Sequence, residues 1–124
     1  LRKTDTATVQ ADRLGAVIEL EKQFKGVTVL KGTCSLVSTG KYPISLCDGG
    51  NPGMATAGMG DVLAGLLGGL AVQTGNLELT AQAGVVIHAA SGDSAALDGE
   101  RGLLAGDVIG NIRSWVNPPY NSHK

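Results

Sequence analysis

Aromatic side chains are scarce in this sequence, with one Trp, one Phe and two Tyr among 124 residues. A core without large rings has to be built from Leu, Val, Ile and Ala, and the 19 glycines allow those small side chains to pack closely. Charge of one sign is lacking too. The formal net charge is -1 and no block of like charges occurs, which argues against an extended basic face for nucleic acid. The longest apolar stretch, 62–72, is interrupted by Gly65, Gly68 and Gly69 and falls well short of the ~20 residues of a membrane helix. Cysteine is limited to Cys34 and Cys47, in neither a CxxC nor another metal-ligand spacing. They are expected to be small buried hydrophobes in a reducing cytoplasm, not a disulfide or a reactive thiol. An initiating Met and an apolar signal segment are also missing, so the sequence is expected to start inside a longer protein.

What is present is an alternation of helical and extended patterns. From residue 6 to 25, Leu14, Val17, Ile18 and Phe24 fall at helical spacing, and Gly26 is placed to end that helix. Val27, Thr28, Val29 and Leu30 form a β-branched run between Gly26 and Gly32, as in a buried strand. Residues 36–38 and 44–47 flank a turn at 40–43 and are expected to pair as a hairpin. A loop over 49–60 then runs into the helical pattern Val62, Leu63, Leu66, Leu67, Leu70. A further helix is expected from Thr80, as N-cap, to Leu97, largely buried, with Gly84 and Gly92 as close-packing positions. After a polar turn, Val108, Ile109, Ile112 and Trp115 mark a last helix, anchored by Trp115 and stopped by Pro118 and Pro119. So few strands cannot cover both faces of an α/β sheet, and an exposed apolar edge or face is expected.

The loop carries the chemistry. Gly58, Met59, Gly60 and Asp61 open a helix, where unsatisfied N–H groups meet the positive end of the helix dipole and suit a phosphate. Glycine at 58 and 60 lets an anion approach the backbone, and Asp61 sets a carboxylate beside it that can take a proton from a hydroxyl nucleophile. Glycines before a helix also serve tight turns, and an Asp there also serves as an N-cap, so local chemistry leaves both uses open. Two familiar phosphate loops are excluded on spacing. The dinucleotide fingerprint would need glycine where Leu63 stands, and the Walker loop would need Gly-Lys-Ser/Thr.

The whole run Asn51-Pro52-Gly53-Met54-Ala55-Thr56-Ala57-Gly58-Met59-Gly60-Asp61-Val62-Leu63-Ala64-Gly65 resembles the signature of bacterial ADP-dependent NAD(P)H-hydrate dehydratases, within the ribokinase-like superfamily. Upstream, Val29-Leu30-Lys31-Gly32-Thr33-Cys34-Ser35 resembles the family's nucleotide-contacting strand and turn, and 88–93 and 102–107 match its closing helices. Ala57, Cys34 and Ala89 depart from the usual pattern without removing a reacting group. The resemblance implies an α/β fold, the C-terminal half of a ribokinase-like three-layer α/β/α domain over 1–117, followed by a mobile tail over 118–124. The other half would supply further strands, substrate contacts and metal ligands.

The implied reaction is ADP-dependent dehydration of the S epimer of NADHX or NADPHX to NADH or NADPH. In it Asp61 is the catalytic base and a substrate contact, and Gly58, Met59 and Gly60 form the anion hole. Lys31, Gly32, Thr33, Cys34 and Ser35, with Gly60, contact ADP at one edge of a parallel sheet. Mg2+ assists, with no ligand for it assigned in this chain. Implied partners are the hydrated nucleotide, the missing half of the domain, a fused or separate epimerase and further copies in a homo-oligomer. A ribokinase-like kinase of vitamin precursors shares the Gly-x-Gly-Asp loop but not the lead-in from Asn51 to Thr56, and a non-catalytic nucleotide-binding fragment is a reading of a different class. His88, on an apolar helix face, favours a structural role. Asp93 and Asp107 are within the range of a ligand or metal, but Asp107 is more simply a helix cap, and neither is assigned a site role.

Overall fold

The computed structural model describes residues 6–117 and 119. The expected first helix is divided into α1 (Thr6–Ala11) and α2 (Arg13–Phe24). Asp12 causes the break: with φ -133° and ψ 71° it leaves the helical region, and its carboxylate accepts from the Gly15 N–H at 2.9 Å. A short polar side chain that can cap competes with continuation of the helix. α2 ends on Lys25, which adopts the left-handed conformation (φ 51°), and not on Gly26.

Three short strands follow, β1 (Thr28–Leu30), β2 (Ser35–Ser38) and β3 (Ser45–Cys47), in the order β1-β2-β3. The expected hairpin is present, with Leu36 opposite Leu46 and Val37 opposite Ser45. β1 also pairs antiparallel to β2, Val29 opposite Val37, so the described sheet is a meander and not the parallel edge anticipated for the nucleotide. Four residues between β1 and β2 allow only a tight reversal, whereas a parallel connection needs a crossover of a dozen or more.

Alternation sends Val29, Val37 and Cys47 to one face, where they pack with Leu63, Leu67, Ala81 and Val85 of the helices beyond. Leu36 points to the other face, and α2, with Ala16 and Val17 fully buried, packs against β1 and β2. Helix, sheet and helices thus form three layers. β3 extends past the cover of α2, and Leu46 is 61% exposed, the bare apolar face expected of so small a sheet.

The helices beyond are α3 (Met59–Thr74), α4 (Leu77–Ala95) and α5 (Ala105–Val116), joined after α4 by a 3₁₀ turn (Ala96–Asp98). α4 starts earlier than Thr80 suggests. Asn76 is its N-cap, accepting from Leu79 N–H at 3.0 Å, while Thr80 is buried inside the helix with its hydroxyl 2.7 Å from that of Thr74. Gly84 and Gly92 are close-packing positions as expected: a Cβ at Gly84 would lie 2.4 Å from Leu67 Cδ2, and one at Gly92 would meet the Met54 side chain. α5 is tied to α4 by the Trp115 indole N–H, which donates to Ser94 Oγ at 3.0 Å, although the ring is half-exposed and less buried than an anchor should be. Both cysteines are free thiols and half-buried, not fully buried. The expected tail at 118–124 lies, apart from Pro119, outside the described residues. Among the described residues no helix is long and apolar enough to cross a membrane.

Candidate active site

A 3₁₀ turn (Pro52–Met54) leads through Gly58 into α3. Gly58 has φ 87° and ψ -11°, a left-handed conformation that costs a residue with a Cβ roughly 1–2 kcal/mol. It is also the N-cap of α3, so Asp61 is not. The first bond of the helix runs from Val62 N–H to Gly58 O at 3.0 Å, and Gly58 has no side chain to cap what precedes it. The N–H groups of Gly58, Met59, Gly60 and Asp61 therefore have no acceptor within the helix and gather at its positive end. Asp61 sits in the first turn, exposed, and among the described residues its carboxylate has no hydrogen-bond or ion-pair partner. It is available to act on a ligand.

Lys31 leaves the end of β1 and reaches this helix end. A Cβ built on Gly60 would lie 2.0 Å from Lys31 Nζ, so the ammonium occupies the space that the missing side chain leaves. Segments far apart in the chain thus meet in one place, with a cation and free amide groups side by side. The rest of the turn, Gly32, Thr33, Cys34 and Ser35, is shaped by Arg13 from α2, whose Nη2 donates to Leu30 O at 3.2 Å and to Cys34 O. The guanidinium lies over Gly32, where a Cβ would come within 2.6 Å of Nη2. Arg13 is not legible as a site residue from the sequence, because an arginine in an amphipathic surface helix looks like any other solvated charge.

The loop before α3 rests on α4. Asp93 accepts from the Gly50 N–H at 3.1 Å through Oδ2 and from Asn51 Nδ2 at 2.9 Å through Oδ1. A Cβ on Gly49 would be 3.2 Å from that of Ala89, and Gly92 leaves the room that Met54 fills. Asn51 Oδ1 is buried without a partner among the described residues, and Gly53 lies where a Cβ would be 2.5 Å from the Glu100 carbonyl oxygen. Asp93 therefore holds the entrance to the loop, whereas Asp107 is the expected cap, accepting from Leu104 N–H at 2.8 Å at the start of α5. The motif's Asn51 also has a structural partner that spacing in the sequence could not reveal.

His88 holds the other end of the loop, its Nε2 3.1 Å from the Met59 carbonyl oxygen. An oxygen acceptor requires that nitrogen to carry a proton. Burial pushes the His88 pKa below its ordinary value; the Met59 carbonyl opposes that shift, and the charge on Lys31 adds to it. The folded protein thus takes up the His88 proton less readily than the unfolded chain does. Stability should be fully present above the unfolded value of 6.5 and be lost as pH falls from there through the lowered folded value. Thermal melts between about pH 7 and pH 5 are expected to show a decline that His88→Gln removes in part. A pH dependence identical in the two proteins would contradict this assignment.

The sequence profile of the NAD(P)H-hydrate dehydratase family matches residues 2–113. The bifunctional NAD(P)H-hydrate repair enzyme Nnr of Coxiella burnetii is 49% identical over 111 residues, which are 89% of this chain and 23% of that protein. The ADP-dependent (S)-NAD(P)H-hydrate dehydratase of Neisseria meningitidis serogroup B is 41% identical over 117 residues, 91% of this chain and 38% of that protein. Among solved structures, Bacillus subtilis YxkO shares the fold with a TM-score of 0.86 at 21% identity, covering 94% of this chain and 44% of that one. The ADP/ATP-dependent NAD(P)H-hydrate dehydratase of the same organism, crystallised with ATP/Mg2+, gives 0.80 at 23% identity, covering 87% and 39%. The chain therefore spans less than half the length of each of these relatives.

Proposed function

The chain belongs to the NAD(P)H-hydrate dehydratase family, and we propose that the complete protein carrying it uses ADP to dehydrate the S epimer of hydrated NADH or NADPH. What carries this reading is the meeting of Lys31 Nζ with Gly60 at the uncapped start of α3, next to an Asp61 carboxylate without a partner among the described residues. A cation and free amides suit the phosphates of ADP, and a free carboxylate suits the proton of a hydroxyl nucleophile.

In this mechanism the hydroxyl on the hydrated nicotinamide ring loses its proton to Asp61 as its oxygen attacks the terminal phosphorus of ADP. The bond from that phosphorus to the bridging oxygen breaks and AMP leaves. The amides of Gly58, Met59 and Gly60 hold the phosphoryl oxygens as charge builds on them, in a site that needs no reorganisation. The ring C–O bond then breaks, phosphate departs in place of hydroxide, and loss of the neighbouring ring proton restores the double bond. Lys31, Gly32, Thr33, Cys34 and Ser35 border the nucleotide in this reading. Mg2+ belongs to it through the family, but among the described residues no group of three or more His, Cys, Asp and Glu side chains is arranged to hold a metal.

We assign the reaction to the cytoplasm, in keeping with two free thiols, and to a homo-oligomer working with an epimerase, fused or separate. Calorimetry with ADP followed by turnover of hydrated NADH in the complete protein tests the reading. Binding and turnover together are expected. ADP binding without turnover would leave a nucleotide half-site only, and phosphorylation of a vitamin precursor instead would make the protein a kinase.

A further inference from the structure

His88 is not needed by the chemistry above, yet it touches the anion site directly, through Met59. A peptide group is planar and trans, so its C=O and N–H point in opposite directions and move as one unit. The peptide whose oxygen faces His88 is the one whose N–H belongs to Gly60, one of the uncapped amides. We propose that His88 is a positioning residue: by donating to the Met59 carbonyl it fixes the Met59–Gly60 peptide so that the Gly60 N–H is aimed at a bound phosphate.

This inference rests on the anion-site reading of the α3 start and adds to it a residue on α4. Met59 is the first residue of α3, and first turns fray. A second donor on its carbonyl, beside the N–H of the next helical turn, holds that turn in place. It also polarises the amide, because a hydrogen bond accepted at oxygen strengthens the donor at nitrogen. An imidazole suits the task for a further reason. With the Lys31 ammonium close to the same helix end, an uncharged donor grips the peptide without adding a like charge, and burial favours the uncharged form of His88. α4 thereby pins both ends of the loop, Asp93 at Gly50 and Asn51 and His88 at Met59, but only the His88 pin acts on an amide of the anion site.

The test uses two donor-less variants of different volume, His88→Leu and His88→Phe, and His88→Gln, whose amide can still donate to Met59 O. In the complete protein, the donor-less variants that melt within a few degrees of the parent are expected to lose up to about 100-fold in kcat, with the KM for hydrated NADH unchanged. The Gln variant should recover most of that loss. Unchanged kcat, or a Gln variant as impaired as the Leu variant, would overturn the proposal. If the parent protein itself neither binds ADP nor turns over, the functional reading fails. The positioning claim is then decided by hydrogen exchange of the Val62 amide, whose bond to Gly58 O closes the first turn of α3, in the unliganded proteins. Faster exchange in Leu and Phe, restored by Gln, upholds it, and equal exchange in all of them overturns it.

Discussion

Asp61→Asn in the complete protein is expected to lower turnover of hydrated NADH by about 10²–10⁴-fold, the range that general base catalysis contributes. The same change should leave folding and ADP affinity nearly intact. Asn keeps the size of the side chain, and in this fold the substituted group is neither a cap nor a partner of any described residue, because Gly58 is the N-cap of α3. What folding loses is the interaction of one negative charge with the helix dipole, typically 0.3–1 kcal/mol at an exposed first turn. Nucleotide binding loses nothing attractive, since removal of a carboxylate beside an anion site relieves repulsion. A fall in kcat with an unchanged or tighter ADP dissociation constant is therefore the signature of the base. Turnover close to that of the unmodified protein would remove Asp61 from the mechanism and send the search for the proton acceptor to residues outside this chain.

The parts of the fold visible in the sequence are those governed by neighbours along the chain. The hairpin of β2 and β3 followed from a turn between two short apolar runs, and α3 followed from glycines that open a leucine-rich helical pattern. The parts that were hidden depend on competition or on distance. Asn76 and Thr80 are both good capping residues, and only the burial of Thr80 against Thr74 decides that the first of them caps α4. Asp12 in a helical stretch gives no local sign of whether it will sit inside the helix or break it, and here its own hydrogen bond to Gly15 breaks it. The antiparallel pairing of β1 is not legible in the sequence because the apolar pattern of a buried strand is silent about direction.

The same division runs through the site. Gly58, Gly60 and Asp61 stand out by their order along the chain, and a structural role for His88 is legible too, but what the supporting residues hold is not. Arg13, Asp93 and His88 each act on backbone atoms far away in sequence, and hydrogen bonds to a carbonyl or an N–H leave no complementary residue type for a pattern to detect. Lys31 could be tied to Gly60 beforehand only through resemblance to a family. The geometry now ties them directly, and it also changes what a substitution at Gly60 should do.

Gly60→Ala is expected to weaken ADP binding by roughly 10- to 100-fold while leaving the melting temperature unchanged or slightly raised. Gly60 lies within α3 with a φ that alanine adopts freely, and alanine in a helix is favoured over glycine by up to about 0.5–1 kcal/mol. The added methyl would stand 2.0 Å from Lys31 Nζ but 3.5 Å from Lys31 Cε, so the only atom it must displace is the free end of a flexible side chain. The fold can yield there at little cost. The ammonium cannot both yield and stay beside the amides, and a hydrogen bond to a charged group is worth about 1.5–3 kcal/mol. At about 1.4 kcal/mol for each factor of ten, that sets the expected loss in affinity. A double-mutant cycle separates this cause from a general disturbance of the helix end. If the methyl acts by evicting Lys31, then Lys31→Ala should weaken ADP binding by a similar factor, and the double variant should be no worse than Lys31→Ala alone. Losses that simply add would mean that Gly60 and Lys31 serve the nucleotide separately. Full ADP affinity in Gly60→Ala would mean that the ammonium beside Gly60 has no part in binding it.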